Sequence, residues 1–191
     1  MKDQSIMKTD SLRCSIGRNV ILDSISFEIH QGEFVSLIGP NGAGKTTLLK
    51  CLMKILPFEG GTAAVSGREL REISHKELAS SISYVPQADS RYLPFTVREL
   101  VMTGRYPHLS PFTAYSAADR EAADDAMELT GTAALADRRM SGLSGGERQM
   151  VMIAGAIAQD AAIMLLDEPS AFLDPGHERA VMRLLRDINT D

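Results

Sequence analysis

Long apolar runs are missing from this 191-residue chain: none approaches the roughly 20 residues that span a bilayer. The N-terminal stretch MKDQSIMKTDS is polar, so no signal peptide is read there. These two absences point to a soluble, cytoplasmic chain whose membrane role, if it has one, comes through a partner. There is no basic stripe either. Lys and Arg are dispersed and the net charge is −5, which argues against a dedicated nucleic-acid binder. Cysteine is scarce. Cys14 and Cys51 have no metal-ligand or redox spacing and read as buried free thiols in a reducing compartment. Repeats, low-complexity stretches and linkers are absent, so the length suggests one domain, with room for an inserted lobe. At 44% hydrophobic, the chain can bury a core.

What is present has an α/β texture. ISFEI (Ile25 to Ile29) alternates like a half-buried strand. FVSLI (Phe34 to Ile38) reads as a second strand, and the glycine-rich GPNGAGKTT follows it directly. LLKCLMKIL then runs at helical spacing until Pro57. GGTAAVSG reads as a short strand and SISYVPQ as another, ending at Pro86 and Gln87. From about Arg91 to Met140 the segment is helical, with capping boxes at Thr96/Glu99 and Ser116/Asp119. AAIMLLDEP returns as a continuously apolar strand, suited to a parallel position covered on both faces. Asp174 and Pro175 open a last helix toward Asp191, as an N-cap followed by proline at the first helical position.

The run Gly39-Pro40-Asn41-Gly42-Ala43-Gly44-Lys45-Thr46-Thr47 fits the phosphate-binding loop G-x-x-x-x-G-K-[ST] without a mismatch. Glycines let backbone N–H groups converge on phosphate oxygens where a Cβ would obstruct. The helix that follows aims its positive end at the same place. Lys45 is assigned to the β and γ phosphates of ATP, and the Thr46 hydroxyl to Mg²⁺. Asp167 and Glu168 end the apolar strand. Strand neighbours point to opposite faces, so they do not flank one bond as a glycosidase pair does. They divide the work instead: Asp167 holds Mg²⁺ through water and Glu168 polarises the attacking water. Without the loop upstream, they would read as solvated acids.

LSGGERQ (Leu143 to Gln149) poses a separate question. Ser144 and Glu147 form a capping box that starts the helix RQMVMIAGAIAQ. A helix N-terminus with Ser144, Gly145 and Gly146 is a second anion site, yet one chain has only one triphosphate. A head-to-tail pair resolves this, each copy covering the other's ATP. The plainer alternative is an ordinary N-cap.

Taken together, GPNGAGKTT, LSGGERQ, LLDEP and SAFLD, in this order and spacing, resemble the ATP-binding-cassette (ABC) ATPases over nearly the whole chain. The resemblance implies a P-loop ATPase core, residues 8–90 and 141–191, carrying an α-helical subdomain at about 91–140. It implies that Gln87 contacts Mg²⁺ and the membrane partner, that Glu168 is the catalytic base, and that Asp174 communicates across the dimer. LPFTVRELVMTGRYPHLSPF (Leu93 to Phe112) further resembles the ATPases of bacterial importers for iron–siderophore complexes, haem and cobalamin. Tyr106 and His108 in it are given no ligand role. The implied partners are a second ATPase copy, two transmembrane permease subunits and, indirectly, a periplasmic or lipoprotein substrate-binding protein, with no nucleic acid. The implied location is peripheral, at the cytoplasmic face of the inner membrane.

Three features depart from the family pattern. Ile16 stands where relatives place an aromatic residue against adenine, stacking worth about 1–3 kcal/mol per base in nucleic-acid binders. Gly155 lies inside the signature helix where relatives usually carry Arg, and a mid-helix Gly costs about 1 kcal/mol relative to Ala. The chain also stops before the family's next strand and its γ-phosphate histidine. His30, His75, His108 and His177 are all at other positions. That strand lies between the P-loop strand and the acidic strand in related P-loop ATPases, so a C-terminal truncation is expected. A nucleotide-binding fragment without turnover, and a soluble ABC ATPase acting on nucleic acid or ribosomes, are the alternatives.

Overall fold

The computed structural model describes residues 5–87, 94–110, 112–171 and 173–190. They fall into two compact units: one runs up to Ser81 and takes in the residues from Ile188 onward, the other is Ile82–Asp187. Residues 1–4 of the polar N-terminus, Leu93 and Pro111 of the stretch Leu93 to Phe112, and Phe172 of SAFLD lie outside the described residues.

The first unit is built on a four-stranded antiparallel sheet. Its strands are β1 (Ser5–Ile16), β2 (Asn19–His30), β3 (Gly60–Val65) and β4 (Arg68–Glu69), in the order β2-β1-β3-β4. Side chains alternate faces along β1, so Met7 and Thr9 are buried, and simple alternation would next bury Ser11. An irregularity between Thr9 and Leu12 resets the phase, and Leu12 and Cys14 are buried instead. Ser11 takes a left-handed φ of 50° there, and its amide donates to Ser26 Oγ at 2.8 Å. Cys14 and Cys51 are both buried free thiols. Burial, reinforced by the neighbouring Cys14, pushes the Cys51 thiol up to about 12, so it does not ionise near neutral pH.

Helix α1 (Lys45–Leu52) is shorter than the apolar spacing predicts. Lys54 turns left-handed, with φ 55°, and the amides of Ile55 and Leu56 both return to the Lys50 carbonyl. Its ammonium donates to Ile73 O at 2.6 Å, so a tertiary contact ends the helix before Pro57. The unit closes with α2 (His75–Ser81).

Phe34 to Ile38 is the larger correction. The run is apolar and strand-like in sequence, but no described strand pairs with it. Phe34 is 50% exposed and Ile38 92%. A strand exists through its ladder, and without neighbours the apolar pattern alone does not make one.

In the second unit β5 (Ile82–Val85) and β6 (Ile163–Leu166) form a parallel pair, from Ile82 beside Ile163 to Val85 beside Leu166. The parallel direction fits the apolar run, but β6 is half-buried throughout, not covered on both faces. Its one ladder neighbour among the described residues is β5. Helices α3 (Val97–Thr103), α4 (Ala117–Leu129) and α5 (Gly145–Ala158) enclose a core of Val97, Val101, Ala123, Met127, Val151 and Ala154. Each opens with a complete capping box, at Thr96/Glu99, Ser116/Asp119 and Ser144/Glu147. Helix α6 (Pro175–Thr190) begins at the proline. No helix of the described residues is long and apolar enough to cross a membrane.

Helix α3 ends in close contact with α5. A Cβ added at Gly104 would lie 2.2 Å from the Gly155 carbonyl oxygen, so residue 104 must be glycine for α3 to rest there. Gly155 itself is under no such pressure, because a Cβ there would meet nothing nearer than 4.0 Å. Gly104→Ala should therefore destabilise the chain by about 1–3 kcal/mol through overpacking. Gly155→Ala should stabilise it by up to about 1 kcal/mol through helix propensity. Urea melts of the two variants should shift in opposite directions.

Arg105 and Asp119 pair at 3.1 Å with both side chains only 11% exposed, and Arg105 also donates to Ala158 O. Hydrogen bonds from the Ser116 hydroxyl and amide, helped by Arg105, hold the Asp119 carboxyl down at about 2, against an ordinary 3.8. A depressed carboxylate stabilises the fold fully above its unfolded value and loses that contribution as pH falls through its folded one. Helical circular dichroism should thus decline between about pH 4 and pH 2, and Asp119→Asn should flatten the decline.

Candidate functional site

The glycine-rich loop leads into α1 in the first unit. Gly44 is the N-cap, with φ 89°, a conformation that suits glycine. A Cβ there would also press to 2.9 Å from Leu22 Cδ2 on β2, so glycine is required twice over. No side chain caps α1 and no acid sits in its first turn. The helix therefore has no acid of its own in the first turn to offset the positive end of its dipole. Lys45 Nζ donates to the carbonyls of Gly39 at 2.8 Å and Pro40 at 3.1 Å, folding over its own loop. Phosphate oxygens are stronger acceptors than carbonyls and would compete for this ammonium. Thr46 and Thr47 continue the first turn. Ile16, at the tip of the β1–β2 hairpin, is 52% exposed.

The acidic pair lies in the second unit, past the end of β6. Asp167 is buried, 3% exposed, and its amide continues the β5 ladder by donating to Val85 O at 2.9 Å. Tyr84 Oη donates to Asp167 Oδ2 at 3.2 Å. Burial first, then the Asp167 charge, pushes the Tyr84 phenol up to about 12, so it stays a donor. Glu168 takes a left-handed φ of 49°, which breaks the strand geometry immediately after Asp167. Gln87 Nε2 donates to Glu168 Oε2 at 2.7 Å. Residues 81 positions apart are joined because β5 and β6 run parallel and end together.

At the start of α5, Ser144 Oγ accepts from the Glu147 amide at 3.2 Å, and Glu147 Oε2 accepts from the Ser144 amide at 2.7 Å. In this box the Ser144 hydroxyl oxygen acts only as an acceptor, and the leading amides of Gly145 and Gly146 take no part in it. Ser144 and Gly145 are exposed, whereas Gly146 is buried. Asp174 Oδ1 accepts from the Gly176 amide at 2.9 Å, and Asp174 Oδ2 is bonded to His177 Nδ1.

Sequence reasoning missed Tyr84 and His177. Tyr84 stands three residues before Gln87 on an alternating strand, but nothing in the sequence says which strand lies beside it. His177 shows in the sequence only as a histidine outside the position of the family's γ-phosphate contact, and its spacing from Gly146 carries no signal. Among the described residues no three His, Cys, Asp or Glu side chains cluster as a metal site. A magnesium ion here would take most of its ligands from phosphate and water, which is how this ion is commonly held.

A P-loop opening one helix, a serine-capped glycine turn opening another, and a Gln–Glu pair at the ends of parallel strands together define an ATP-handling cassette. Residues 22–171, more than three quarters of the chain, match the ABC transporter family. The chain is 37% identical over 185 residues to the iron(3+)-hydroxamate import ATP-binding protein of Bacillus subtilis, covering 97% of this chain and 69% of the relative. It is 38% identical to the ferric enterobactin transport ATP-binding protein of Escherichia coli, covering 97% of this chain and 68% of that one. The hemin import ATP-binding protein of Streptomyces coelicolor is 42% identical, over 92% of this chain and 62% of its own length. Among solved structures, an inward-facing ABC transporter of metal-chelate type superposes with a TM-score of 0.84 at 29% identity, covering 98% of this chain and 69% of that one. The chain belongs to the ABC transporter family and has the fold of its ATP-binding cassettes.

Proposed function

We propose that this chain binds and hydrolyses ATP as the cassette subunit of an importer for an iron chelate, haem or cobalamin. The observation that carries the importer reading is the 37–42% identity, over 92–97% of the chain, to ATP-binding proteins named for hydroxamate, enterobactin and hemin import. In this reading residues 8–90 and 141–191 form the ATPase core and about 91–140 the helical subdomain. The partners are a second copy in head-to-tail arrangement, two transmembrane permease subunits and, indirectly, a substrate-binding protein. The subunit works peripherally at the cytoplasmic face of the inner membrane.

The roles divide among the residues as follows. The amides of Gly39–Thr47 and the Lys45 ammonium bind the phosphates, and Ile16 offers apolar contact to the base. Thr46, Gln87 and Asp167 are the residues assigned to Mg²⁺, which when bound neutralises phosphate charge. The Tyr84 phenol supports this assignment by orienting the Asp167 carboxylate. Glu168 is the base that orients and deprotonates the attacking water, and its bond to Gln87 supports that role by coupling it to the Gln87 loop. Ser144, Gly145 and Gly146 cover the ATP of the second copy, and Asp174 faces that copy.

Lys45→Ala should weaken ATP binding by about 10–100-fold, since it removes a charged hydrogen-bond donor. A fluorescent-nucleotide titration measures this directly, and near-normal affinity would refute the assignment of the loop. Glu168→Gln should retain ATP binding and lose turnover by about 10²–10⁴-fold. ATP-dependent pairs should then accumulate in sedimentation velocity runs, and turnover that survives the substitution would remove Glu168 from the role of base.

A further inference from the structure

His177 occupies the third position of α6, and the contacts around it do not fit an ordinary solvated helix residue. The carboxylate of Asp174 fixes its ring. Asp174 Oδ1 accepts from the His177 amide at 3.3 Å and Oδ2 is bonded to His177 Nδ1, so backbone and imidazole are gripped by one side chain. The opposite edge of the ring lies on the first turn of α5. A Cβ built at Gly146 would stand 2.4 Å from His177 Cδ2 and 2.8 Å from Nε2. Gly146 is thus the residue that makes room for the imidazole, and it is buried while its neighbours Ser144 and Gly145 are exposed. The remaining face of the ring is open, with the side chain 45% exposed.

We propose that His177 is a positioning residue for the phosphate-facing turn Ser144–Gly146, tying that turn to Asp174 so that the two move as one piece. The proposal rests on the head-to-tail reading above, in which both groups meet the second copy. The capping box ties Ser144 to Glu147, but the two glycines between them carry no side chain to brace them and are easy to deform. A ring wedged between the turn and a carboxylate on the neighbouring helix supplies the brace. It also makes seating of the two groups a single event: displacing Asp174 drags His177 off Gly146, and a mis-set turn pushes back on Asp174.

Two experiments test this in the purified chain. The first is a double-mutant cycle on thermal stability, which does not depend on pairing. Gly146→Ala should lower the melting temperature in the parent, because the new methyl meets the ring. It should cost less than half as much in the His177→Ala background, where the ring is gone. Additive effects would show that the ring does not lie on Gly146 and would overturn the proposal. The second reads ATP-dependent pairing by sedimentation in the Glu168→Gln background. His177→Ala should weaken pairing by about fivefold or more. Nucleotide affinity should change less than twofold, and Arg179→Ala on the same helix should leave pairing intact. Unchanged pairing, or pairing and nucleotide affinity falling together, would overturn the positioning role. Failure of the Glu168→Gln parent to pair would remove the head-to-tail reading instead, and the stability cycle alone would then decide whether His177 braces the turn.

Discussion

An α-helix begins with amides that have no carbonyl to receive them, and the starts of α1 and α5 are the two that glycine-rich turns lead into. At α1 no side chain caps the N-terminus and no acid sits in the first turn, and the Lys45 ammonium folds onto loop carbonyls. At α5 the deficit is only partly met. The Ser144–Glu147 box satisfies two donors, while the leading glycine amides and the serine hydroxyl proton are not used by it. Both ends depend on glycines that give the backbone room, and both are held from behind by packing. Gly44 rests against Leu22, and Gly146 rests against His177.

The second unit turns on the parallel register of β5 and β6. Because the strands end level, the residues just past them converge: Gln87 meets Glu168, and Tyr84 reaches Asp167. The left-handed Glu168 is what lets adjacent acids serve different partners, one buried under a phenol and the other turned to an amide. On the proposed reading this separates a magnesium-directed carboxylate from a water-directed one, and ties the second to the Gln87 loop.

Much of this was legible in the residues. The capping boxes, the loop-to-helix transition at Lys45 and the proline start of α6 follow from local rules, because caps and turns are decided within a few residues. Helix length was less legible. The end of α1 is set by Lys54 reaching carbonyls at Arg71 and Ile73, a contact that apolar spacing does not encode. The run Phe34–Ile38 went furthest astray, because strand identity is a property of a ladder, and a chain segment cannot announce whether a neighbour is present to complete it.

The sequence by itself determined the family, the phosphate loop and the residue types available for chemistry, since each is written in contiguous motifs. Only the tertiary structure decided which of those residues touch. It paired Gln87 with Glu168, set Tyr84 on Asp167 and laid His177 across Gly146. All three are contacts between segments far apart in the chain, and strand register and helix packing, not local propensity, bring such segments together.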